Sequence, residues 1–260
     1  MKPVILVTGA GGFLGCRLVE HLLEQDVTVK AMAHRPAGAI RLARLPLEIT
    51  WCDITRADEV RSAMDGCNVV VHCAYGTAPD SYQAKLATEN GTENLLRAAV
   101  EKNIKHFIHI STIAVYSYSP KPPISEDSPF QPPSDNYCRN KIKAEKAVWK
   151  AIRKGDLNAT VLRMGNIYGP FSVPWTIRPI KNIQEGVECL VDEGANPSNM
   201  LFVDNAVEAI LRTIGNRNAY GKAFFITDDE RNWRSFYEQY AHWSGIKKVK
   251  SVTYRQIRDM

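Results

Sequence analysis

Short runs of β-branched and aliphatic residues recur through the first two-thirds of the chain, at 4–7, 27–33, 47–51, 69–73, 106–110 and 160–164. Longer stretches lie between them at 14–24, 57–64, 82–100 and 137–153, where apolar positions return every three to four residues. The first kind predicts strands and the second amphipathic helices. The strand runs are continuous rather than alternating, as expected of strands covered on both faces. Strand–helix alternation of these lengths predicts right-handed crossovers, and hence an α/β fold built on a doubly wound parallel sheet. After about residue 170 the alternation weakens. A helical patch at 176–184, a strand near 189–191 and strand–helix units at 201–214 and 223–243 predict a smaller lobe over 171–260 that shares the main fold of residues 1–170. The stretch 117–134 carries six prolines and reads as a loop, because proline supplies no amide donor.

Composition narrows the class. With 45% hydrophobic and 23% charged residues the chain is ordinary for a globular protein. No apolar run approaches the ~18 residues of a membrane span, and only Met1 and Lys2 precede the first strand pattern at Pro3–Val7, which leads us to expect no leader. The expectation is a cytoplasmic protein without a membrane partner. The net charge of +5 comes from 33 basic residues dispersed among 28 acidic ones, so no basic stripe suggests nucleic acid. The six cysteines form no C-x-x-C pair, which leaves a zinc ribbon, or any other metal site, without support. Reduced thiols are expected.

Directly after the first strand comes Thr8-Gly9-Ala10-Gly11-Gly12-Phe13-Leu14-Gly15, and then a helix. The spacing Gly9-x-x-Gly12-x-x-Gly15 permits a tight turn and close approach of a pyrophosphate, whose charge the helix N-terminus favours. A nucleotide is therefore the expected ligand. At the end of the second strand an NAD site wants a carboxylate for the ribose hydroxyl, and a 2′-phosphate wants cations. Here stand His34 and Arg35 with no acid, which points to NADP and leaves NAD open. Asp53 and Ile54 close the third strand, where a carboxylate can meet an adenine amino group or cap the next helix.

Tyr137 and Lys141 stand four residues apart on one helical face. A phenol titrates near 10. A neighbouring cation favours the phenolate and brings the group toward the range useful for proton transfer. Ser111 and Thr112 end the fifth strand, where ligands bind in open α/β sheets, so a hydroxyl there can hold a reacting oxygen. His72, His106 and His109 read as satisfied core or strand-end residues.

Together with Asn90-Gly91-Thr92-Glu93-Asn94, Arg163-Met164-Gly165-Asn166-Ile167-Tyr168-Gly169-Pro170 and Asp204, these motifs resemble the extended short-chain dehydrogenase/reductase family, the NAD(P)-dependent epimerase/dehydratase type, over roughly residues 3–245. The resemblance implies a Rossmann-like dinucleotide-binding domain over 1–170 and a small substrate-binding lobe after it. It implies that Tyr137 is the catalytic acid/base, that Lys141 orients the nicotinamide ribose and lowers the Tyr137 pKa, and that Thr112, with Ser111, binds the reacting oxygen. Asn94 would support the proton path. Ala74 and Tyr75 join the cofactor contacts, and Gly76, Tyr116 and Asn166 join Thr112 around a small-molecule substrate. A homodimer through the helices at 82–100 and 137–153 is also implied.

Departures from the family pattern refine the reading. Ile113 and Ala114 follow Thr112 where dehydratases carry Asp-Glu, and no Arg precedes Val203-Asp204 where nucleotide-sugar enzymes often hold a diphosphate. The sequence therefore points to an NADP-dependent oxidoreductase moving hydride between nicotinamide and a secondary alcohol or ketone. An NAD-dependent sugar or nucleotide-sugar epimerase and a non-catalytic dinucleotide sensor stand as alternatives. A sugar, a sterol and a polyketide all remain open as substrates, and so does the chain being a piece of a longer protein.

Overall fold

The computed structural model describes residues 2–77, 81–116, 124–131, 135–228 and 230–258. Most of the expected proline-rich loop at 117–134 lies outside the described residues. Its strands are β1 (Val4–Thr8), β2 (Thr28–Ala33), β3 (Ile49–Trp51), β4 (Val69–His72), β5 (His106–Thr112), β6 (Ala159–Met164), β7 (Asn166–Tyr168), β8 (Cys189–Val191), β9 (Met200–Phe202), β10 (Ala223–Ile226) and β11 (Lys250–Val252). Its helices are α1 (Phe13–Leu23), α2 (Ala57–Ala63), α3 (Ser81–Lys85), α4 (Gly91–Glu101), α5 (Asn136–Lys154), α6 (Arg178–Gln184), α7 (Val203–Thr213), α8 (Trp233–Trp243) and α9 (Tyr254–Arg258).

Seven strands form one sheet in the order β10-β6-β5-β4-β1-β2-β3. The reversal of order beside β1 makes this the doubly wound Rossmann-like sheet that the alternation predicts. The register is parallel: Val7 lies opposite Ala31 on β2 and Val71 on β4, and His72 opposite His109 on β5. The expected helix at 82–100 is not continuous, because a π-helical segment, Leu86–Asn90, joins α3 to α4. β5 runs two residues past the expected end at 110, which carries Ser111 and Thr112 into the sheet.

The chain forms two compact units, 1–164 with 207–225, and 165–206 with 226–260. They interleave along the sequence instead of meeting at one cut near residue 170. In the first, Leu6, Val70, Leu95, Phe107, Val148 and Val161 belong to one core cluster between sheet and helices. In the second, Ile183, Leu190, Met200, Phe236, Tyr240 and Val249 close a separate core. No helix among the described residues is long and apolar enough to cross a membrane.

α5 carries the Tyr–Lys pair, and its ends are set locally. Asp135 caps it by accepting from the Cys138 amide at 2.8 Å, and Gly155 ends it in the left-handed region at φ 72°. Arg153 and Lys154 occupy its last turn, where cations suit the helix dipole.

Candidate functional site

The turn after β1 is shaped by what a side chain would strike. Gly9 sits at φ +65°, and a Cβ there would lie 2.8 Å from the Ala74 Cα. A Cβ on Gly15 would lie 2.3 Å from the Gly9 carbonyl oxygen, so α1 can approach the turn only with glycine at that point. The Gly12 amide donates to the Gly9 carbonyl at 2.9 Å. Gly12 is the N-cap of α1, and no side chain among the described residues caps that end. Phe13 is half-buried and Leu14 buried on the first turn of the helix. A Cβ on Gly11 would lie 1.7 Å from the Gly38 carbonyl oxygen, so its missing side chain makes room for the protein's own loop.

A buried polar chain holds this turn to the segment after β4. The Thr8 hydroxyl meets His72 Nδ1 at 2.8 Å and accepts from the Ala74 amide at 3.2 Å. His72 Nε2 meets the Thr92 hydroxyl at 2.9 Å. Burial, with Lys141 nearby, pushes His72 down to about 3, so the ring is neutral. The Gly76 amide donates to Thr88 at 2.9 Å, and a Cβ on Gly76 would lie 2.1 Å from the Ala84 carbonyl oxygen. That contact makes Gly76 a packing glycine. His106 is satisfied by Thr160 and the Gly215 amide. His109 departs from expectation: it is 1% exposed, and neither ring nitrogen has a hydrogen-bond partner among the described residues.

At the ends of β2 and β3 the residues expected to hold phosphate and adenine meet each other. His34 Nε2 lies 3.4 Å from Asp53 Oδ2. Asp53 Oδ1 accepts from the Thr55 amide and hydroxyl at 2.9 and 2.8 Å. Partial burial raises the Asp53 pKa, but the Thr55 hydrogen bonds and His34 outweigh it and hold the carboxyl below its usual range. Arg35 is exposed at the start of the loop after β2. Ile54 packs where a Cβ on Gly91 would fall, and its carbonyl accepts from Asn94 Nδ2 at 3.0 Å. The Asn94 amide thus serves the β3–α4 contact in place of the expected proton path.

Thr112 ends β5, its hydroxyl accepting from the Ala114 amide at 3.2 Å, and that hydroxyl exerts a lowering pull on the Tyr137 pKa. The Tyr137 ring, 42% exposed, also packs edge-on against Tyr75 at 5.8 Å. Lys141 is 4% exposed, and its ammonium donates to the Ile110 carbonyl at 2.7 Å beneath the Tyr75 ring. Burial lowers the Lys141 pKa to about 8, against the opposing pull of Cys73 and Glu145. The expected lowering of the Tyr137 pKa is corrected: burial raises the phenol, and the Thr112 hydroxyl opposes only part of the rise. The physical reason is that a buried ammonium takes the nearest strong acceptor, and here that is a strand carbonyl.

Two further expectations fail on partners. Ser111, expected at the cofactor, is 3% exposed and donates to Glu145 Oε2 at 2.5 Å. Tyr116, expected at the substrate, is 2% exposed, donates to the Glu126 carbonyl, accepts from Arg163 and packs on Phe225. Both are core residues. In the second unit Asn166 Nδ2 donates to the Ser198 carbonyl at 2.8 Å, which fastens β7 beside β9.

Sequence reasoning missed Glu145 and Arg163. Extending the four-residue step from Tyr137 and Lys141 by one more would have reached Glu145 on the same helical face. No group of three potential metal ligands occurs among the described residues.

A doubly wound sheet, a glycine turn leading into a helix, and a Tyr–Lys pair at the end of β5 define a dinucleotide-binding α/β protein of the Rossmann class. Residues 5–226 match the NAD dependent epimerase/dehydratase family, and the chain belongs to that family. It is similar to 4-hydroxy-2-methyl-3-oxo-4-farnesyl-3,4-dihydroquinoline-1-oxide ketoreductase of Stigmatella aurantiaca, 27% identical over 97% of this chain and 77% of the relative. It is also similar to cinnamoyl-CoA reductase 1 of Petunia hybrida, 32% identical over 64% of this chain and only 55% of that relative's length. Among solved structures, dTDP-glucose 4,6-dehydratase of Streptomyces venezuelae, with NAD and TYD bound, superposes with a TM-score of 0.82 at 23% identity, covering 97% of this chain and 85% of that one. That likeness concerns the fold.

Proposed function

We propose that the chain is an NADP-dependent oxidoreductase acting on a secondary alcohol or ketone, with Tyr137 as the acid/base. The observation that carries this reading is the pair Tyr137 and Lys141 one helical turn apart on α5, with Lys141 buried and bonded to the Ile110 carbonyl of β5, the strand that Thr112 ends. The fit to a dinucleotide is supported by the Gly9–Gly12 turn and by a helix end without a side-chain cap, which suits a pyrophosphate. Gly9, Gly12, Phe13, Leu14 and Gly15 would hold the pyrophosphate, Arg35 with His34 the adenosine side, and Ala74, Tyr75 and Lys141 the nicotinamide end. When bound, the nicotinamide supplies or accepts the hydride.

The chain's own residues handle the proton and the oxygen. Thr112 and Tyr137 together offer two hydroxyls to one substrate oxygen, and the phenol gives its proton as the alcohol forms. Reversal takes the proton back. Lys141 contributes a positive charge behind the phenol, and with a raised phenol pKa the resting group is fully protonated, the form needed for reduction. Tyr75 packs edge-on against the Tyr137 ring and steadies its orientation. The ketone-reducing direction is supported by Ile113 and Ala114 standing where an eliminating enzyme needs acids, and by the name of the Stigmatella relative.

The test is NADPH oxidation by the purified chain with a panel of aliphatic, aryl and steroidal ketones. Turnover is expected with at least one class. Tyr137→Phe is expected to lower it by roughly 10²–10⁴ while NADPH still binds. A Tyr137→Phe protein as active as its parent overturns the acid/base role. Tight, non-exchanging NAD in the purified protein, together with sugar epimerisation, overturns the reductase in favour of an epimerase.

A further inference from the structure

Two successive residues at the end of β5 are gripped by two residues one turn apart on α5. Lys141 donates to the Ile110 carbonyl at 2.7 Å, and Glu145 accepts from the Ser111 hydroxyl at 2.5 Å. Glu145 has 0% exposure. Its second oxygen accepts from Trp149 Nε1 at 3.0 Å and from the Arg163 guanidinium, through Nε at 3.0 Å and Nη2 at 2.6 Å. Arg163 also reaches the Glu126 carbonyl at 2.6 Å and the Tyr116 hydroxyl, which ties β6 into the same network. A carboxylate with four donors is held in one orientation, and a charge so deeply buried persists only when paired.

We propose that Glu145 is a positioning residue of this site: by holding Ser111 it fixes the register of α5 on β5, so that Lys141 meets the Ile110 carbonyl and Tyr137 stands one turn earlier on the same helix, and it is the counter-charge to Lys141. The inference rests on reading Tyr137 and Lys141 as the functional pair. The groups acting on Lys141 support the second half. From β4 and the segment after it come His72, Cys73 and Tyr75, from β5 His109, and from α5 Glu145, with Tyr137 one turn earlier on the same helix. Burial keeps His72 and His109 neutral and pushes the Cys73 thiol up to about 12. Among these described groups, Glu145 is the only carboxyl group, and it pairs with the Arg163 guanidinium.

The experiment is a pH titration of ε-¹³C-labelled lysines by NMR on the whole chain, with the Lys141 signal assigned by its loss in Lys141→Met. Glu145→Gln is expected to move the Lys141 midpoint down by about one pH unit. Because Glu145→Gln strands Arg163, the double variant Glu145→Gln/Arg163→Met is measured beside it, with a smaller shift expected in the same direction. Glu145→Asp, which keeps the charge, is expected to restore most of the midpoint, while a residue that merely packs would move thermal stability and leave the titration unchanged. A Lys141 midpoint that stays in place in either folded Gln variant overturns the proposal. This readout needs no substrate, so it stands or falls separately from Tyr137→Phe. If the midpoint shifts while Tyr137→Phe retains full turnover, the oxidoreductase reading fails and the role of Glu145 survives.

Discussion

The carboxyl ends of β5 and of β2 and β3 both carry charged residues, but they hold them in opposite ways. Beside β5, Lys141, Glu145 and Arg163 are buried at 4%, 0% and 2% exposure, each with short hydrogen bonds. Beside β2, the His34 side chain is 65% exposed against an Asp53 that is 28% exposed, and Arg35 is exposed. Buried charges must be paired at all times, so their geometry is set before any ligand arrives. Exposed charges sit in high dielectric, gain little from each other and can exchange partners at small cost. The first arrangement suits the placing of reacting groups. The second suits the reading of a ligand's phosphate.

The largest effect should come from breaking the buried pair. Arg163→Met leaves the Glu145 carboxylate 0% exposed without its guanidinium, and is expected to lower unfolding free energy by about 3–5 kcal/mol in urea titrations. Arg212→Met, which breaks the exposed pair with Glu208, should leave the midpoint in place. Equal losses from the two would show that burial does not distinguish them.

Acid should sharpen the same contrast. His72 titrates near 3 in the folded chain, depressed from 6.5 by burial. Its contribution is therefore complete above pH 6.5 and is lost as pH falls toward 3, at about 1.4 kcal/mol per pH unit. Urea midpoints should fall steadily between pH 6.5 and 4, and His72→Asn, compared with its own midpoint at pH 7, should flatten that slope.

The smallest effect is expected at the ligand-reading end. Arg35→Ala should weaken NADPH binding about tenfold, near 1.4 kcal/mol, and leave NADH binding unchanged. Fluorescence titration with both cofactors measures this. Equal weakening of both would mean that Arg35 does not read the 2′-phosphate.

Much of the scaffold was legible before any coordinates. The parallel sheet followed from continuous apolar runs, because a strand covered on both faces has no polar positions to alternate. The turn at Gly9 was legible because a positive φ and a backbone 2.8 Å away leave no room for a Cβ. The Tyr137–Lys141 spacing was legible because one helical turn is a local rule.

What remained hidden was partner choice. Ser111 and Thr112 are adjacent hydroxyls of one strand, yet Ser111 is buried on Glu145 while Thr112 accepts from the Ala114 amide. Tyr116 reads as a pocket aromatic until Arg163, forty-seven residues later, claims its hydroxyl. Residues 207–225 read as part of the second lobe until they join the first unit. Periodicity, capping and backbone sterics act over a few residues, so the sequence by itself determined the elements, their order and the family. Hydrogen bonds between buried polar groups depend on which distant segments the fold brings together, so only the tertiary structure decided which hydroxyls and charges stand free for chemistry.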